Sequence, residues 1–122
     1  MFKILVVDDE IQVLKALRRV LGRTFEVHLA IDGHSALEML AQCQPDLVLS
    51  DYRMPLMNGA ELVREIRRRS PRTPCILLSG YAGPDEPRES VTGGCTVLGK
   101  PWDDRLLFAS LHSALASRAE TA

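Results

Sequence analysis

The sequence predicts an α/β domain in which a parallel sheet of five strands is covered by helices on both faces. Short, nearly unbroken apolar runs alternate along the chain with segments whose apolar residues recur at helical spacing, as in βαβ units. Strands that are apolar at almost every position suit a sheet that is buried on both faces. The chain has 122 residues, which is enough for one such domain and too few for two of ordinary size.

Five apolar runs are the candidate strands. They cover residues 2–7, 25–30, 46–51, 75–79 and 95–99. The third run, with Leu47, Val48 and Leu49, is the most typical of an interior strand, because it opens directly into a proline-containing loop that carries Asn58-Gly59. We expect every strand to point the same way, with right-handed connections between them.

A segment of helical period follows each of the first three strands. The first helix has its apolar side chains on one face and ends at Gly22. Those side chains are Ile11, Leu14, Leu17, Val20 and Leu21. The second helix carries Leu37 and Leu40 and ends before Pro45, and the third opens at Gly59.

The last two predicted helices differ in regularity. Prolines and glycines interrupt residues 81–94, so we expect at most a short helix over 85–92. We also expect high mobility or disorder over about 82–94. The final helix is predicted to start near Trp102, with an apolar stripe facing inward. The stripe consists of Leu107, Leu111, Ala114 and Leu115. We expect one domain over residues 1–118 and a frayed tail over 119–122.

Composition excludes several classes of function. Apolar residues make up 46%, charged residues 25%, and the net charge is -1, so no overall field favours nucleic acid or an anionic membrane. No apolar run approaches the roughly 20 residues of a membrane span, and the N-terminal run is too short for a signal peptide. We therefore expect a cytoplasmic domain that does not itself bind nucleic acid or membrane. Cys43, Cys75 and Cys95 form no CxxC pair and are expected to be reduced core residues.

Polar side chains follow four of the five strands at the point where each strand ends. Asp8 and Asp9 follow the first strand, Asp51 closes the third, Ser79 closes the fourth and Lys100 follows the fifth. The carboxyl ends of parallel strands share one edge of a sheet, where ligands of open α/β folds bind. We therefore expect these side chains to converge on Asp51.

The residue types at this edge suit phosphoryl chemistry. Three neighbouring carboxylates repel one another, and a hard divalent cation such as Mg²⁺ relieves that repulsion. Lys100 and Ser79 offer a phosphoryl group a point charge and a hydroxyl donor. Asp51 is then placed to act as a carboxylate nucleophile and to form an acyl phosphate. Each residue alone is commonly a helix cap or a turn residue, so the hypothesis rests on their joint occurrence in order.

Four motifs carry a resemblance to the receiver domains of two-component response regulators, and it covers essentially the whole chain. The motifs are Val7-Asp8-Asp9-Glu10, Ser50-Asp51-Tyr52-Arg53-Met54-Pro55 with Asn58-Gly59, Leu78-Ser79-Gly80 and Gly99-Lys100-Pro101. The resemblance implies a flavodoxin-like fold of three layers. It implies strand order 2-1-3-4-5 and five flanking helices, of which the fourth would be short or disordered here.

The resemblance also implies roles for single residues. Asp51 would be phosphorylated from the phosphohistidine of a sensor histidine kinase. Mg²⁺ would be held by Asp9, Asp51 and the backbone carbonyl of Arg53, with Asp8 acting through water. Lys100 would pair with the phosphoryl group.

The same resemblance implies how the signal would leave the site. Ser79 would swing to the phosphoryl group and select a second state. The face made by the fourth helix, fifth strand and fifth helix would then repack and be read by an output domain or protein. In such domains the Lys100–Pro101 bond is commonly cis, so a cis bond is expected here too.

The chain departs from the family pattern at the output face. Val97 stands where receivers usually carry an aromatic residue, and Tyr81 is the nearest substitute in sequence. The motifs around Asp51, Ser79 and Lys100 look more like those of receivers attached to signalling enzymes than those of DNA-binding regulators.

Two alternative functions remain open at this point, and a third is disfavoured. An aspartyl-phosphate phosphohydrolase would need a second Asp two residues after the nucleophile, where this chain has Arg53. A receiver-like interaction module that is never phosphorylated draws support only from the altered output face. A flavin-binding module is disfavoured, because no glycine-rich phosphate loop follows the first strand.

Overall fold

The computed structural model describes residues 1–80, 95–100 and 102–121, with side chains as far as Ser117. Five strands and four helices lie in these ranges. The strands are β1 (Lys3–Val7), β2 (Glu26–Ala30), β3 (Leu47–Asp51), β4 (Cys75–Ser79) and β5 (Thr96–Gly99). The helices are α1 (Ile11–Leu21), α2 (Gly33–Cys43), α3 (Gly59–Arg69) and α4 (Asp104–Thr121). The short helix predicted over 85–92, the mobility expected there and the isomer of the bond to Pro101 lie outside the described residues, so α4 corresponds to the last predicted helix.

The strands form one parallel sheet in the order β2-β1-β3-β4-β5. This confirms the predicted topology. The register brings the carboxyl ends of the central strands level with one another: Val7 lies beside Ser50, Asp51 beside Leu78, and Ser79 beside Gly99. The order reverses between β1 and β3, and a crevice opens at the carboxyl ends of strands at such a switch point.

Two hydrophobic cores lie on opposite faces of the sheet, because successive strand residues point to opposite sides. Leu77 belongs to the core that α2 and α3 cover, and Leu78 to the core that α1 and α4 cover. Both side chains are almost fully buried. Cys75 and Cys95 are buried free thiols in the first of these cores, as predicted, whereas free Cys43 is partly exposed.

The helix faces agree with the predicted stripes except at one position. Leu14, Leu17 and Leu21 of α1 are buried, but Ile11 is 57% exposed, so its assignment to the inward face was wrong. Helical side chains lean toward the N-terminus, and Ile11 is the first residue of α1, so its side chain is directed off the end of the helix.

Side chains cap the helices α2 and α3. Asn58 accepts a hydrogen bond from the Glu61 N–H while the Glu61 carboxylate accepts one from the Asn58 N–H, which closes a capping box at the start of α3. Asp32 caps α2 through the Ser35 N–H. The box fixes the direction in which α3 leaves the loop after β3.

The last helix, α4, begins directly after Asp103. Asp103 precedes α4, and its carboxylate accepts a hydrogen bond from the Arg105 N–H at 2.7 Å. The helix continues to Thr121 and so includes part of the tail that the sequence predicts to fray. Within the described ranges no helix combines the length and the apolar character needed to cross a bilayer.

Candidate functional site

The predicted site residues meet at the carboxyl edge of the sheet. Asp51 is the last residue of β3 and is only 6% exposed. The Tyr52 N–H donates to the Leu78 carbonyl at 2.9 Å, which ties the end of β3 to β4. Ser79 ends β4, and its carbonyl accepts from the Lys100 N–H at 2.7 Å. Ordinary parallel pairing therefore carries all of these residues to one place.

Lys100 joins two of the acids. Its Nζ atom lies 2.7 Å from Asp51 Oδ1 and 3.5 Å from Asp8 Oδ2. The Lys100 side chain is 21% exposed, and both carboxylates are buried. The residue after β5 thus reaches across β4 to the ends of β3 and β1, which is the convergence that the sequence predicts.

Three carboxylates form a cluster beside this ammonium. One oxygen each from Asp8, Asp9 and Asp51 lies within 4.8 Å of the others. Asp8 Oδ1 accepts a hydrogen bond from the Glu10 N–H at 2.8 Å, whereas Asp8 Oδ2 is buried and accepts no hydrogen bond from the described residues. This oxygen faces the Lys100 ammonium at 3.5 Å but accepts no hydrogen bond from the described residues. A buried carboxylate oxygen of this kind, among other carboxylates, fits the oxygen ligands that Mg²⁺ prefers.

Burial and charge shift the acid–base equilibria of the site. Burial raises the pKa of Asp8 to about 6, against the hydrogen bond from Glu10, which acts in the opposite direction. Burial also raises the pKa of Asp51, and the hydrogen bond with Lys100 partly offsets this effect. Burial lowers the pKa of Lys100, but the hydrogen bond and charge of Asp51 outweigh it, so that pKa lies above its usual value. The site therefore holds a charged ammonium beside acids that are harder to ionise than usual.

Two further candidate residues lie at the same edge of the sheet by their place in the fold. Ser79 is 8% exposed and follows Leu78, the neighbour of Asp51 in the register. Arg53 lies in the β3–α3 loop two residues after Asp51 and is exposed. Val97, at the position where receivers usually carry an aromatic residue, is partly buried against the core that α2 and α3 cover. Tyr81 lies outside the described residues.

The sequence analysis missed the part that Gly59 plays in shaping the site. The Gly59 N–H donates to the Tyr52 carbonyl at 2.8 Å. A Cβ atom at this position would lie 2.5 Å from the Asp51 carbonyl oxygen and 2.6 Å from Leu77 Cδ2. Gly59 therefore allows α3 to start directly against the end of β3. The Asn58-Gly59 pair indicated a helix start, but nothing in it indicated this close approach.

Comparison with known proteins places the chain in a family. The model of the response regulator receiver domain matches residues 4–112. Regulatory protein AtoC of Escherichia coli K12 is 39% identical over 103 residues, which are 83% of this chain and 22% of that protein. Transcriptional regulatory protein PrrA of Mycobacterium leprae is 34% identical over 122 residues, which are 98% of this chain and 52% of that protein. The chain thus spans between about a fifth and a half of these relatives.

Solved structures give the same result for the whole fold. A response regulator receiver domain protein from Clostridium thermocellum superposes with a TM-score of 0.92 at 27% identity, and all of both chains is covered. The signal receiver domain of an HD domain-containing protein from Pseudomonas fluorescens Pf-5 gives 0.85 at 32% identity, with 97% of each chain covered. With its sheet order, its acidic edge and these similarities, the chain belongs to the response regulator receiver domains, a family of signalling domains.

Proposed function

We propose that Asp51 is the phosphoacceptor of this receiver domain, with a sensor histidine kinase as the donor. The observation that supports this most strongly is Lys100 Nζ, 2.7 Å from Asp51 Oδ1 and 3.5 Å from Asp8 Oδ2. An ammonium in this position can neutralise charge on an oxygen bound to Asp51 without rearrangement of the site. Preorganised charge of this kind is the main means of stabilising phosphoryl transfer.

The transfer itself is a substitution at phosphorus. An Asp51 carboxylate oxygen forms the new P–O bond while the P–N bond of the phosphohistidine breaks, and the electron pair of that bond returns to the imidazole nitrogen. The product is an acyl phosphate on Asp51. Asp51 must be ionised to attack, and the Lys100 ammonium favours its ionised form against the effect of burial. The chain would thus catalyse its own phosphorylation, and water would later hydrolyse the acyl phosphate.

The acidic cluster supports Mg²⁺ as the cofactor. The carboxylates of Asp8, Asp9 and Asp51 would hold it together with the backbone carbonyl of Arg53, Asp8 acting through water. When bound, the ion would neutralise charge on the phosphoryl oxygens. The buried Oδ2 of Asp8 accepts no hydrogen bond from the described residues and has the Lys100 ammonium 3.5 Å away, and it is the feature of this chain that supports such a ligand.

Ser79 and Lys100 would carry the signal away from the site. The Ser79 hydroxyl would move to the phosphoryl oxygens, and Lys100 would remain paired with them. Both residues lie at the ends of neighbouring strands, and the Lys100 N–H already bonds to the Ser79 carbonyl. A movement at Ser79 would therefore be transmitted to β5 and to the surface beside α4, which an output domain or protein would read.

The curated relatives and the solved structures point to different kinds of output partner. The curated relatives are named as regulatory or transcriptional regulatory proteins, whereas one solved neighbour is the receiver of an HD domain-containing protein. The motifs of this chain favour an output of the signalling-enzyme class.

We also propose a cytoplasmic receiver domain over residues 1–118, with a tail over 119–122 and no direct binding to nucleic acid.

Phosphorylation with a small donor tests this function. The chain is incubated with Mg²⁺ and acetyl phosphate, and its intact mass is followed beside that of Asp51→Asn and of Asp104→Asn, an exposed carboxylate on α4. We expect one added phosphoryl group in the parent chain and in Asp104→Asn, and none in Asp51→Asn. Rapid turnover of acetyl phosphate without accumulation would instead indicate a phosphohydrolase, and no modification at all an inert interaction module.

A further inference from the structure

A cleft of about 620 Å³ lies between the end of α3 and α4, at the edge of the sheet opposite Asp51. Cys75, the first residue of β4, and Thr96, the first residue of β5, line it beside residues of the two helices and of the loop after α3. Parallel strands all begin at the same edge, so the cleft is a strand's length away from Ser79 at the other end of β4. Sites for small molecules commonly enclose roughly 300 to 1,000 Å³, and this cleft is therefore large enough for one.

Among the described residues, the charged side chains that line this cleft are all cations. Arg67 lies in the last turn of α3, and Arg72 lies in the loop that follows it. Both side chains are exposed, and neither pairs with an acid in the described part of the chain. Their neighbours differ, since Arg68 and Arg69 each contact Glu65 at 3.5 Å. Two guanidinium groups are thus available to a ligand although the net charge of the chain is only -1.

The charge of Arg67 lies close to the wall that β4 provides. Burial raises the pKa of the Cys75 thiol to about 12, the neighbouring Cys95 thiol adds to this effect, and the charge of Arg67 acts in the opposite direction. Cys75 is 5% exposed, so its thiol belongs to the wall of the cleft and is not a reactive group. An electrostatic effect of this kind depends on proximity, which brings the Arg67 guanidinium to the start of β4.

Arg72 is presented by a braced turn. The Thr73 N–H donates to the Ser70 carbonyl at 3.1 Å, and the hydroxyls of the same two residues are hydrogen-bonded at 2.5 Å. Pro71 and Pro74 lie on either side of Arg72, and each has a fixed φ angle. Such a preorganised support reduces the entropy that is lost when a ligand binds.

The other wall of the cleft belongs to α4 and is uncharged. Ser110 and Ser113 contribute hydroxyl groups, and Leu106, Ala109 and Ala114 contribute apolar surface. Hydroxyl groups both donate and accept hydrogen bonds, so this wall suits a neutral body that carries polar groups of its own. The cleft therefore combines cations on one side with hydroxyls and apolar surface on the other.

The two cations favour a phosphate over a carboxylate as the charged part of the ligand. The fork of a single guanidinium already satisfies both oxygens of a carboxylate. A phosphate monoester has three acceptor oxygens and a charge of about −1.5 to −2 at pH 7, so it can engage two guanidinium groups. The remaining volume accommodates the body to which the phosphate is esterified, and that body would rest on α4.

We propose that this cleft is a second ligand site and that it binds an organic phosphate, a phosphate monoester on a hydroxyl-bearing body. Arg67 and Arg72 hold the phosphate, and Ser110 and Ser113 bond to hydroxyls of the body. The ligand is bound and not transferred, and the site is separate from the chemistry at Asp51, which lies at the opposite edge of the sheet.

Titration of the isotope-labelled chain, followed by amide NMR, tests this site. The probes are adenosine monophosphate, ribose phosphate, inorganic phosphate and adenosine, each added in EDTA so that no metal occupies the acidic cluster. We expect saturable shifts at Arg72, Thr96 and Ser113 with adenosine monophosphate, with ribose phosphate or with both. The affinity for the better ester should exceed that for inorganic phosphate and for adenosine by about tenfold or more, because each of these lacks one half of the ligand. Binding of only the adenosine ester would identify a nucleotide site, and equal binding of both esters a sugar phosphate site.

Four variants connect the shifts to the cleft. Arg67→Gln and Arg72→Gln each remove one cation, and we expect each to weaken binding of the better ester about tenfold. Arg68→Gln is the matched control, because it removes the same charge from the same helix at a residue that does not line the cleft; it should change the affinity less than about twofold. Ala109→Trp, at an exposed position, fills the cleft, leaves both arginines in place and should abolish binding. Circular dichroism and urea unfolding check that each variant is folded.

Each of several other results would contradict the proposal. No saturable shift with either ester would mean that the cleft is not a site for organic phosphates. Equal affinity for inorganic phosphate, or equal weakening by Arg68→Gln, would reduce the effect to general attraction by a basic surface. Shifts confined to amides around Asp51, or unchanged binding in Ala109→Trp, would place the ligand elsewhere on the molecule.

Discussion

Asp8 is buried beside two other acids, and this position is unfavourable to its own charge. Its pKa is raised to about 6, first by burial and then by the charge of Asp51, whereas the hydrogen bond from Glu10 and the charge of Lys100 oppose the shift. When no metal cation is bound, the charged form of Asp8 lowers the stability of the folded chain. A buried carboxyl whose pKa is shifted in this way is a candidate for chemistry at a site rather than for packing.

Replacing this carboxylate with a neutral amide should stabilise the metal-free chain. Because its pKa is higher in the folded chain than in the unfolded one, Asp8 contributes most stability below about pH 4, and this contribution is lost as the pH rises through about 6. At pH 7.5 we expect Asp8→Asn to raise the free energy of unfolding by roughly 1 to 3 kcal/mol, since one pKa unit corresponds to about 1.4 kcal/mol. Urea unfolding in EDTA measures this.

The pH dependence of that gain separates charge from packing. The difference between Asp8→Asn and the parent chain should shrink as the pH falls toward 4, because the parent carboxylate then binds its proton. Glu38→Gln, at an exposed position on α2, is the control and should change stability little at any pH. A gain of equal size at pH 4 and pH 7.5 would contradict the electrostatic explanation.

At the scale of secondary-structure elements, the position of α3 depends on the absence of a side chain at Gly59. Gly59 begins this helix against the backbone of Asp51 and the side chain of Leu77. We expect Gly59→Ala to lower the free energy of unfolding by about 1 to 3 kcal/mol, because the added carbon must displace atoms in a packed region. Urea unfolding followed by circular dichroism provides the measurement.

A second glycine provides the control for this substitution. Gly99 ends β5, and nothing lies within 4 Å of a Cβ atom built there. Gly99→Ala should therefore change stability by less than about 0.5 kcal/mol. Similar losses in the two variants would mean that alanine acts through backbone conformation in both, and the argument from close approach would fail.

The sequence predicted the elements better than it predicted the connections between them. Cys75–Ser79 was predicted to the residue, because an apolar run bounded by a turn and a glycine defines a buried strand. The convergence of Asp51 and Lys100 followed from strand direction alone. The conformation of Leu56 could not be predicted, because a leucine at positive φ opposes local preference and is imposed by the loop around it. The exposure of Ile11 depended on the exact start of α1, which periodicity does not define.

For the whole molecule, the important feature is that one sheet separates two cores. Leu77 and Leu78 are neighbours in β4, and each packs into a different core. Ser79 follows them directly, so the candidate switch residue lies at the end of a strand held from both faces. A change at the site can influence both layers of helices only if the two cores stabilise one cooperative structure.

That cooperativity can be tested with the single tryptophan. Trp102 packs against the core covered by α1 and α4, so its fluorescence reports on that face, whereas circular dichroism reports on the helices of both faces. We expect Leu77→Ala and Leu78→Ala each to lower the free energy of unfolding by about 2 to 5 kcal/mol. In both variants the urea midpoints from fluorescence and from circular dichroism should coincide.

Leu77→Ala is the decisive variant, because its cavity opens in the core that Trp102 does not contact. If the faces unfolded separately, this substitution would move the midpoint from circular dichroism and leave the fluorescence midpoint at its parent value. Leu78→Ala is the matched comparison, since it removes the same atoms from the tryptophan's own core. Coincident midpoints in both variants would mean that the sheet transmits a loss of packing from one face to the other, as a switch built on β4 requires.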